Sequence, residues 1–591
     1  MKQFLKYVLA TITGMVILGL FFSVVSVVTL LGVSSTSANF KVAENSVLIL
    51  DLNGTLVERS DDDPFASLFS GSENQTIGLD DVLQAIDKAK NEQNIKGIYM
   101  QGGVLAGASP AMLEEIRNAL EDFRKSGKFV VSYADSYTQG AYYLCSVADS
   151  VLINPQGMLD WKGLAMQTVY FKELLDKVGV KMQIFKVGTY KSAVEPYILN
   201  EMSEANREQI TVFSGEIWKE MLDDVSKSRK LKAEVLNQLA DTALCFSSAD
   251  MYLKSGLVDK VTYSDDVPRV ISNMMKLDDG REYKKVTLAE MANVVKNSPK
   301  NISGDIVAVY YAYGNIIDRP SGYSTSEIAA SKVIKDLQKL TDDESVKAVV
   351  LRVNSGGGSA FASEQIWHEI VKMKEKKPVV VSMGGMAASG GYYISCAADR
   401  IFAEPTTLTG SIGIFGTFPD ASELINNKLG VHFQTVKTNK YADFGDISRP
   451  MNTGEQGLLQ AYVNRGYELF TKRCADGRKM KQDDIKAIAE GRVWTGVHAK
   501  KIGLVDELGG LADAVAYAKK KAKVEDCTVM RYPAKSNVFE VLMNRVSTDT
   551  YADAQMRETF GDYYDMFMTV RRLSGQSSVE ASMPYIFKFN L

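Results

Sequence analysis

The stretch Val379-Val-Val-Ser-Met-Gly-Gly-Met-Ala-Ala-Ser-Gly-Gly-Tyr-Tyr393 is present in two versions in this chain. Its β-branched start is typical of a buried strand, and the run after its glycines is compatible with a helix, which places Ser389 on the turn between them. The earlier version, Val131-Ser-Tyr-Ala-Asp-Ser-Tyr-Thr-Gln-Gly-Ala-Tyr-Tyr143, aligns with the part that begins at Val381. The offset is 250 residues, so Gln139 in the first half stands where Ser389 stands in the second. This internal repeat indicates two copies of one fold.

The sequence on either side of this stretch is repeated as well. Upstream, Ile95-Lys-Gly-Ile-Tyr-Met100 matches Val346-Lys-Ala-Val-Val-Leu351, and downstream, Gly256-Leu-Val-Asp-Lys260 matches Gly503-Leu-Val-Asp-Glu507. Each half alternates helical patterns with short apolar strands. This alternation predicts an α/β fold with largely parallel strands in each half.

The repeat also predicts the domain organisation. We expect the first repeat over residues 45–270 and the second over 304–533, with a polar, lysine-rich connector over 271–303. Residues 1–33 precede the repeats as a cytoplasmic tip and a membrane anchor. Residues 534–591 match neither repeat and are expected to form a C-terminal extension.

Composition argues against several functional classes. The 68 Lys and Arg residues nearly balance the 72 Asp and Glu residues, so the chain has no overall basic field and nucleic acid is not an expected partner. The five cysteines include no CxxC pair, which argues against a zinc site or a dense disulfide framework. No histidine precedes His368, so the first half has no imidazole to offer as a base.

The N-terminus contains a long apolar segment. Residues 8–32 carry no charged side chain and would span about 37 Å as a helix, enough to cross a bilayer. A cleaved signal peptide usually has an apolar core of about 7–15 residues, so an uncleaved anchor is favoured. Lys2 and Lys6 precede the segment, and the next positive residue is Lys41. The positive-inside rule therefore leaves the N-terminus in the cytoplasm and places the rest outside, in the periplasm of a bacterium with two membranes.

Two interpretations of Ser389 follow from its place on the turn. Serine is a favoured cap at the start of a helix, and Ser389 can have that role alone. It can also expose its hydroxyl as a nucleophile, beside helix-start N–H groups that have no intrahelical partner and suit a developing oxyanion.

The two halves have degenerated in a complementary way. The first half contains Phe185-Lys-Val-Gly-Thr-Tyr-Lys-Ser-Ala-Val-Glu-Pro196, whose counterpart Val436-Lys-Thr-Asn-Lys-Tyr-Ala-Asp443 aligns Lys191 with Ala442. The first half thus keeps a lysine and the second half keeps a serine. A serine hydroxyl needs a base to take its proton, and a lysine can be that base if burial lowers its pKa and leaves it neutral. The alternative is that Lys191 is an ordinary solvated surface residue.

Two further segments offer polar groups. In Asn354-Ser-Gly-Gly-Gly-Ser359, backbone N–H groups of the glycine run can form one side of an oxyanion hole, with the N–H of Gly390 as the other. A phosphate-binding loop is the rival interpretation, but the glycines fit neither GxGxxG nor GxxxxGK[ST]. The hydroxyl of Ser411 can orient a neutral lysine amine, or it can simply satisfy its own turn.

Three motifs carry a resemblance to a known family: Gly188-Thr-Tyr-Lys-Ser-Ala-Val-Glu-Pro196, Met386-Ala-Ala-Ser-Gly-Gly-Tyr392 and Leu408-Thr-Gly-Ser-Ile-Gly-Ile414. The chain resembles the long form of the signal peptide peptidase A family, also called protease IV, whose members are Ser/Lys endopeptidases of the bacterial inner membrane. The resemblance implies a tandem repeat of two crotonase/Clp-protease-like α/β domains behind an N-terminal transmembrane helix. It also implies a homotetramer and no metal or cofactor.

The resemblance assigns a role to each candidate residue. By motif match, Ser389 is the nucleophile, Lys191 is the general base and Ser411 orients the lysine. Oxyanion donors are implied at Gly390 and in the Gly357–Gly358 region.

We therefore expect a membrane-anchored serine endopeptidase that degrades cleaved signal peptides and other apolar peptides at the membrane. Two alternatives come from other functional classes. In a crotonase-like acyl-CoA enzyme, the glycine N–H groups would hold a thioester enolate and no serine nucleophile would be needed. In a non-catalytic membrane scaffold, the two halves would serve only assembly.

Overall fold

The computed structural model describes most of both repeats, namely residues 40–60, 76–277, 282–294, 303–320, 326–535 and 579–582, with residues 6–7, 13–15 and 17–19. Most of the predicted anchor and of the C-terminal extension lies outside these ranges. No helix within them is long and apolar enough to cross a membrane.

The described residues form 21 strands. They are β1 (Ser46–Val57), β2 (Thr76–Gly78), β3 (Ile95–Ala106), β4 (Phe129–Tyr137), β5 (Ser150–Leu159), β6 (Lys181–Lys186), β7 (Lys260–Val261), β8 (Lys284–Val286), β9 (Ile306–Tyr313), β10 (Asn315–Ile317), β11 (Glu327–Ala329), β12 (Val346–Ser355), β13 (Gly357–Ser359), β14 (Val379–Ala388), β15 (Arg400–Ala403), β16 (Leu408–Gly410), β17 (Phe415–Asp420), β18 (Val493–Thr495), β19 (Glu507–Leu508), β20 (Thr528–Tyr532) and β21 (Val579–Ser582).

The α-helices of the same residues are α1 (Leu79–Asn91), α2 (Pro110–Arg124), α3 (Gln139–Cys145), α4 (Lys172–Val178), α5 (Glu195–Ile198), α6 (Glu204–Arg229), α7 (Ala233–Ala240), α8 (Ala249–Lys254), α9 (Val267–Met274), α10 (Leu288–Ala292), α11 (Ala330–Asp342), α12 (Ala360–Lys376), α13 (Gly390–Ser395), α14 (Thr453–Arg478), α15 (Gln482–Ile488), α16 (Gly496–Lys501) and α17 (Leu511–Ala522).

Each half is built on a mainly parallel sheet. The first sheet has the order β2-β1-β3-β4-β5-β7, with β8 also paired to β1, and all its pairings are parallel. The sheet of the second half has the order β18-β16-β14-β12-β9-β20, and its pairings are parallel except that between β16 and β18. The prediction of an α/β fold with largely parallel strands in each half is confirmed.

The repeated stretch forms the same local structure in both halves. In the first half, β4 is followed directly by α3, and the Thr138 side chain caps that helix by accepting from Ala141 N at 3.3 Å. In the second half, β14 ends at Ala388 and α13 begins at Gly390, so Ser389 is the single residue between them. The strand, turn and helix start expected from the sequence are therefore present.

A third sheet combines distant parts of the chain in the order β11-β10-β13-β21-β17-β6. Strand β6 of the first half lies antiparallel to β17 of the second half, with Lys186 opposite Phe415. Because Lys191 follows β6 by only five residues, this pairing carries the lysine to the second half.

The predicted connector is partly structured. Its segment Lys284–Val286 adds a strand to the first sheet, where Val286 is buried, and the short helix Leu288–Ala292 follows. Thr287 and Glu290 form a reciprocal cap at the start of that helix. The lysines of this strand are exposed, whereas Tyr283, Val286 and Met291 are buried against the first half.

A buried charge network joins the two halves. Arg352 of β12 pairs with Glu58 at 2.9 Å and with Glu115 of α2, and all three side chains are almost fully buried. Asn354 donates to the same Glu58 carboxylate at 2.8 Å. An unpaired charge inside a protein is costly in free energy. The buried glutamates of the first half therefore need the arginine of the second half, and the arginine needs the glutamates.

Candidate active site

The lysine of the first half and the serine of the second half meet within one chain. Lys191 Nζ lies 2.9 Å from Ser389 Oγ, and both side chains are buried. This is hydrogen-bond distance, within the range that proton transfer requires. The interpretation of Lys191 as a solvated surface residue is wrong.

Ser389 is held in an unusual backbone conformation at the end of β14. Its φ of 55° and ψ of −114° are costly for a residue with a Cβ atom, and such strain is common at functional sites. The conformation is maintained by two backbone bonds, from Ser389 N to Gly410 O and from Tyr393 N to Ser389 O, each 2.8 Å. The Ser389 side chain makes no capping bond to α13, so the interpretation as a helix cap is wrong.

Lys191 is positioned by a turn of the second half. Tyr190 N donates to Glu490 O at 3.0 Å, and the Arg492 guanidinium lies 4.6 Å from the Tyr190 ring centroid. Gly491 lies directly against the lysine, because a Cβ atom added to Gly491 would be 2.6 Å from Lys191 Cβ. The backbone at Lys191 therefore packs against residues 490–492.

The Lys191 amine has three oxygen neighbours. Besides Ser389 Oγ, these are the carbonyl oxygen and the hydroxyl of Ser411, each 3.0 Å from Nζ. A neutral amine has two N–H donors and one lone pair. Two bonds donated to Ser411 and one accepted from the Ser389 hydroxyl would use all three. Ser411 contacts the amine rather than only its own turn, as the sequence motif predicts.

Burial controls the charge of this amine. It lowers the pKa of Lys191 from its ordinary value of 10.5 to about 7, and the carboxylate of Glu580 opposes that effect. A substantial fraction of the lysine is therefore neutral near neutral pH, as a general base must be.

The predicted oxyanion glycines converge beside Ser389. A Cβ atom added to Gly357 would be 2.6 Å from Gly390 N, and one added to Gly390 would be 3.0 Å from Gly357 Cα. Gly357 and Gly358 have φ values of 100° and 153°, which suit glycine alone. Gly357 N already donates to Ser355 Oγ at 3.1 Å.

The glycine run is part of a sheet rather than a phosphate cradle. Gly358 pairs with Ile316 of β10 on one side and with Ala581 of β21 on the other. Its surroundings are therefore strand backbone. Within the described ranges, no group of three or more His, Cys, Asp or Glu side chains could hold a metal ion.

Two features of the site were not predicted from the sequence. Gly491, which lies against Lys191, was not among the predicted site residues. Strand β21 lies next to the site, although residues 534–591 match neither repeat. A glycine in a turn can mark a close approach of another segment, so the sequence contained a signal for Gly491. The four residues of β21 contain no pattern that would have placed them next to the site.

Comparison with known proteins places the chain in a family. The model of peptidase family S49 matches residues 122–278 and 371–525, one segment in each repeat, and the Clp protease model matches residues 319–408. The chain is 36% identical to Protease 4 of Salmonella typhi, over 86% of this chain and 84% of that protein.

Two further relatives agree. Protease 4 of Haemophilus influenzae is 38% identical over 81% of this chain and 79% of its own length. The chloroplastic serine protease SPPA of Arabidopsis thaliana is 31% identical over 86% of this chain and 72% of its own length. With the two α/β repeats, these matches define the class of the protein as a serine protease. The chain belongs to peptidase family S49.

Proposed function

We propose that the protein is a serine endopeptidase in which Lys191 of the first half activates Ser389 of the second. The observation that carries the proposal is the 2.9 Å separation of the buried amine and hydroxyl, with the amine oriented by both oxygens of Ser411. Lys191 is the general base, Ser389 is the nucleophile and Ser411 is a positioning residue.

The reaction proceeds in two stages. The Ser389 hydroxyl gives its proton to neutral Lys191 as Oγ attacks a peptide carbonyl, and the resulting oxyanion accepts hydrogen bonds from Gly390 N–H and from the Gly357–Gly358 segment. Lys191 then gives its proton to the leaving amine, which leaves an acyl-enzyme on Ser389. In the second stage Lys191 takes a proton from water as its oxygen attacks the ester carbonyl, and Lys191 then returns that proton to Ser389 Oγ as the carboxylate product leaves.

We further propose that the substrates are cleaved signal peptides and other apolar peptides at a bacterial inner membrane. The support is the resemblance to the signal peptide peptidase family and the uncharged segment 8–32, which would anchor the chain with its catalytic part in the periplasm. An anchored site lies where such peptides remain after secretion.

A homotetramer is part of the same proposal. Its support is that β6 and β17 pair with each other, whereas the segments at the equivalent positions of the other repeat form no strand pair within the described residues. At the 251-residue offset that aligns Lys191 with Ala442, β6 corresponds to residues 432–437 and β17 to residues 164–169. Strands β6 and β17 pair with each other, but neither counterpart is assigned to a strand in the described residues. Phe185 of β6 is 6% exposed, whereas its counterpart Val436 is 99% exposed.

The arrangement of these counterparts favours head-to-tail assembly. Along residues 164–169, exposed and half-buried side chains largely alternate, as in an unpaired strand. Residues 432–437 of one copy would pair with residues 164–169 of the next, repeating the β6–β17 pairing between chains. A head-to-tail contact of this kind closes into a ring when its rotation allows.

The proposed chemistry is tested by peptide hydrolysis. We expect Ser389→Ala and Lys191→Ala each to lower kcat/KM for an apolar peptide by at least about a thousandfold, because nucleophile and base act as a unit. Lys172→Ala changes an exposed lysine of the same half and serves as the control. Hydrolysis at the wild-type rate by a folded Ser389→Ala protein would refute the proposal. It would show that a residue other than Ser389 supplies the nucleophile.

A further inference from the structure

Lys191 lies at the tip of a very tight turn. Its φ of −76° and ψ of 75° place it at the centre of an inverse γ-turn, which Ser192 N closes by donating to Tyr190 O at 2.8 Å. A three-residue turn of this kind has only one hydrogen bond of its own. The direction in which the lysine side chain leaves the backbone therefore depends on what holds the two ends of the turn.

One buried side chain holds both ends. Gln209 of α6 is 1% exposed, and its amide nitrogen lies 3.1 Å from Tyr190 O and 3.0 Å from Ser192 Oγ. The same nitrogen lies 3.1 Å from Asn206 Oδ1. Its two N–H groups are thus directed at three oxygens, two of which belong to the chain neighbours of Lys191.

The amide oxygen of Gln209 reaches the second half. Val493 N, in β18, donates to Gln209 Oε1 at 3.2 Å. Because a backbone N–H can only donate, this bond fixes which end of the amide faces the turn at Lys191. The residue before Val493 is Arg492, whose carbonyl oxygen accepts from Ser411 N at 2.7 Å. Gln209 thus joins the segment of the proposed base to the strand beside the serine that orients the amine.

A buried carboxylate holds the start of α6 against the same segment. Asn206 Nδ2 donates to Glu195 Oε2 at 3.0 Å, and the hydroxyl of Ser203, which caps α6, donates to Glu195 Oε1 at 2.5 Å. Ser192 and Glu195 belong to the same sequence motif as Lys191, but neither has a part in the proposed chemistry. Their contacts account for both residues, because they attach the segment that carries Lys191 to α6.

The repeat provides an independent sign of this role. Helices α6 and α14 both have 26 residues and both end before a lysine in the left-handed conformation, Lys230 and Lys479, so they align at an offset of 249 residues. Gln209 then corresponds to Leu458, which is 52% exposed. The half that has Ala442 in place of the lysine therefore has no buried amide at this position, and the glutamine is present in the half that keeps the lysine.

We propose that Gln209 is a positioning residue for the hydrolysis, because it holds the γ-turn at Lys191 so that the amine reaches Ser389 and Ser411. This inference rests on the function proposed above for the same site. The contacts of Gln209 are with the chain on either side of Lys191, not with the amine. A displacement of about 1 Å at a catalytic group can lower a rate about a hundredfold, so the backbone that carries the lysine needs such a support.

Peptide hydrolysis by Gln209→Met tests this role, because methionine has a similar length but cannot form these hydrogen bonds. We expect kcat for an apolar peptide to fall about 10- to 100-fold with little change in KM. The matched control is Gln139→Met, which removes another buried glutamine that bonds to the backbone of residues 162 and 163. The control should lose stability as well but keep the wild-type kcat.

The pH profile separates positioning from a general loss of stability. Burial lowers the pKa of Lys191 from 10.5 to about 7, so an amine that leaves its buried place should have a pKa closer to the ordinary value. We expect the rise of kcat/KM with pH to move at least about one unit higher in Gln209→Met and to stay in place in Gln139→Met. A rise that stays at the wild-type pH in the folded Gln209→Met protein would overturn the proposal, whatever the loss of rate.

Two further variants complete the test. Should Gln209→Met not fold, Ser192→Ala removes one acceptor of the amide and should lower kcat at least about threefold, with a smaller shift of the profile in the same direction. Wild-type kcat and an unshifted profile in Ser192→Ala would then overturn the proposal. Lys191→Ala separates the two proposals. If it hydrolyses peptide at the wild-type rate, the proposed function fails, whereas if it is inactive and Gln209→Met keeps the wild-type profile, only the positioning role fails.

Discussion

At the scale of single residues, the proposed chemistry depends on one amine. Lys191 has the contacts and burial that a neutral base requires, and no histidine precedes residue 368. Ser389, Lys191 and Ser411 were identifiable from the sequence because each lies in a motif, and because each half lacks the residue that the other keeps.

The pH dependence of hydrolysis follows from the Lys191 pKa of about 7. Protonated lysine cannot accept the serine proton, so kcat/KM for an apolar peptide should fall about tenfold per pH unit below this pKa and level off above it. Steady-state rates on a folded wild-type protein measure the profile. A profile that is flat across this pKa, or that declines as pH rises through it, would contradict a neutral lysine base.

Ser411 should affect the chemical step and leave binding unchanged. Ser411→Ala removes one of the two oxygens that hold the amine, so we expect kcat to fall about 10- to 100-fold with little change in KM. Ser411→Thr keeps the hydroxyl and should restore part of the rate. If KM rises while kcat is unchanged, Ser411 contacts substrate instead of positioning Lys191.

At the scale of elements, the site depends on pairings between segments that are distant in the chain. Hydrophobic patterns predicted the strands and the turn at Ser389, because those signals are local. The pairing of β6 with β17 and the insertion of β21 were not predicted, because a strand's sequence does not identify its neighbour in the sheet. Complementary degeneration of the halves predicted that Lys191 and Ser389 would meet, but not how.

The turn at residues 490–492 gives a prediction at this scale. Gly491→Ala would force a Cβ atom into Lys191, so we expect kcat/KM to fall at least about tenfold. The matched control is Gly127→Ala. Gly127 has a similar φ of 82°, but no atom lies within 4 Å of an added Cβ. Equal losses of activity in the two variants would show that the turn does not position the lysine.

At the scale of the whole molecule, buried polar groups join the two halves. The sequence predicted two repeats, but it gave no sign of the Arg352 network, because its members are separated by more than two hundred residues. Its charged residues become recognisable as partners only when β12, α2 and the end of β1 are placed together.

Loss of this network should lower stability. Arg352→Ala would leave Glu58 and Glu115 buried without their cation, and we expect the free energy of unfolding to fall by about 3–5 kcal/mol. Arg400→Ala removes a partly exposed pair with Glu507 and should cost less than about 1 kcal/mol. Chemical denaturation of both variants makes the comparison, and similar midpoints would contradict it.

The proposed assembly is tested by a surface substitution. Val436→Glu places a charge on the segment proposed to pair between copies, and we expect light scattering to report a smaller particle than the wild type. Phe246→Glu changes an apolar residue that is 87% exposed elsewhere and should leave the particle size unchanged. If the Val436→Glu protein keeps its size, residues 432–437 are not the contact.

The most direct test of the central claim is the rate at which Ser389 is labelled by a serine-reactive fluorophosphonate. If Lys191 is the base that activates this hydroxyl, wild-type protein and the Lys172→Ala control should be labelled at similar rates, with the adduct located on Ser389. The Lys191→Ala protein, shown to be folded, should react at least about a thousandfold more slowly. Labelling of Ser389 at the wild-type rate in the absence of Lys191 would contradict the account.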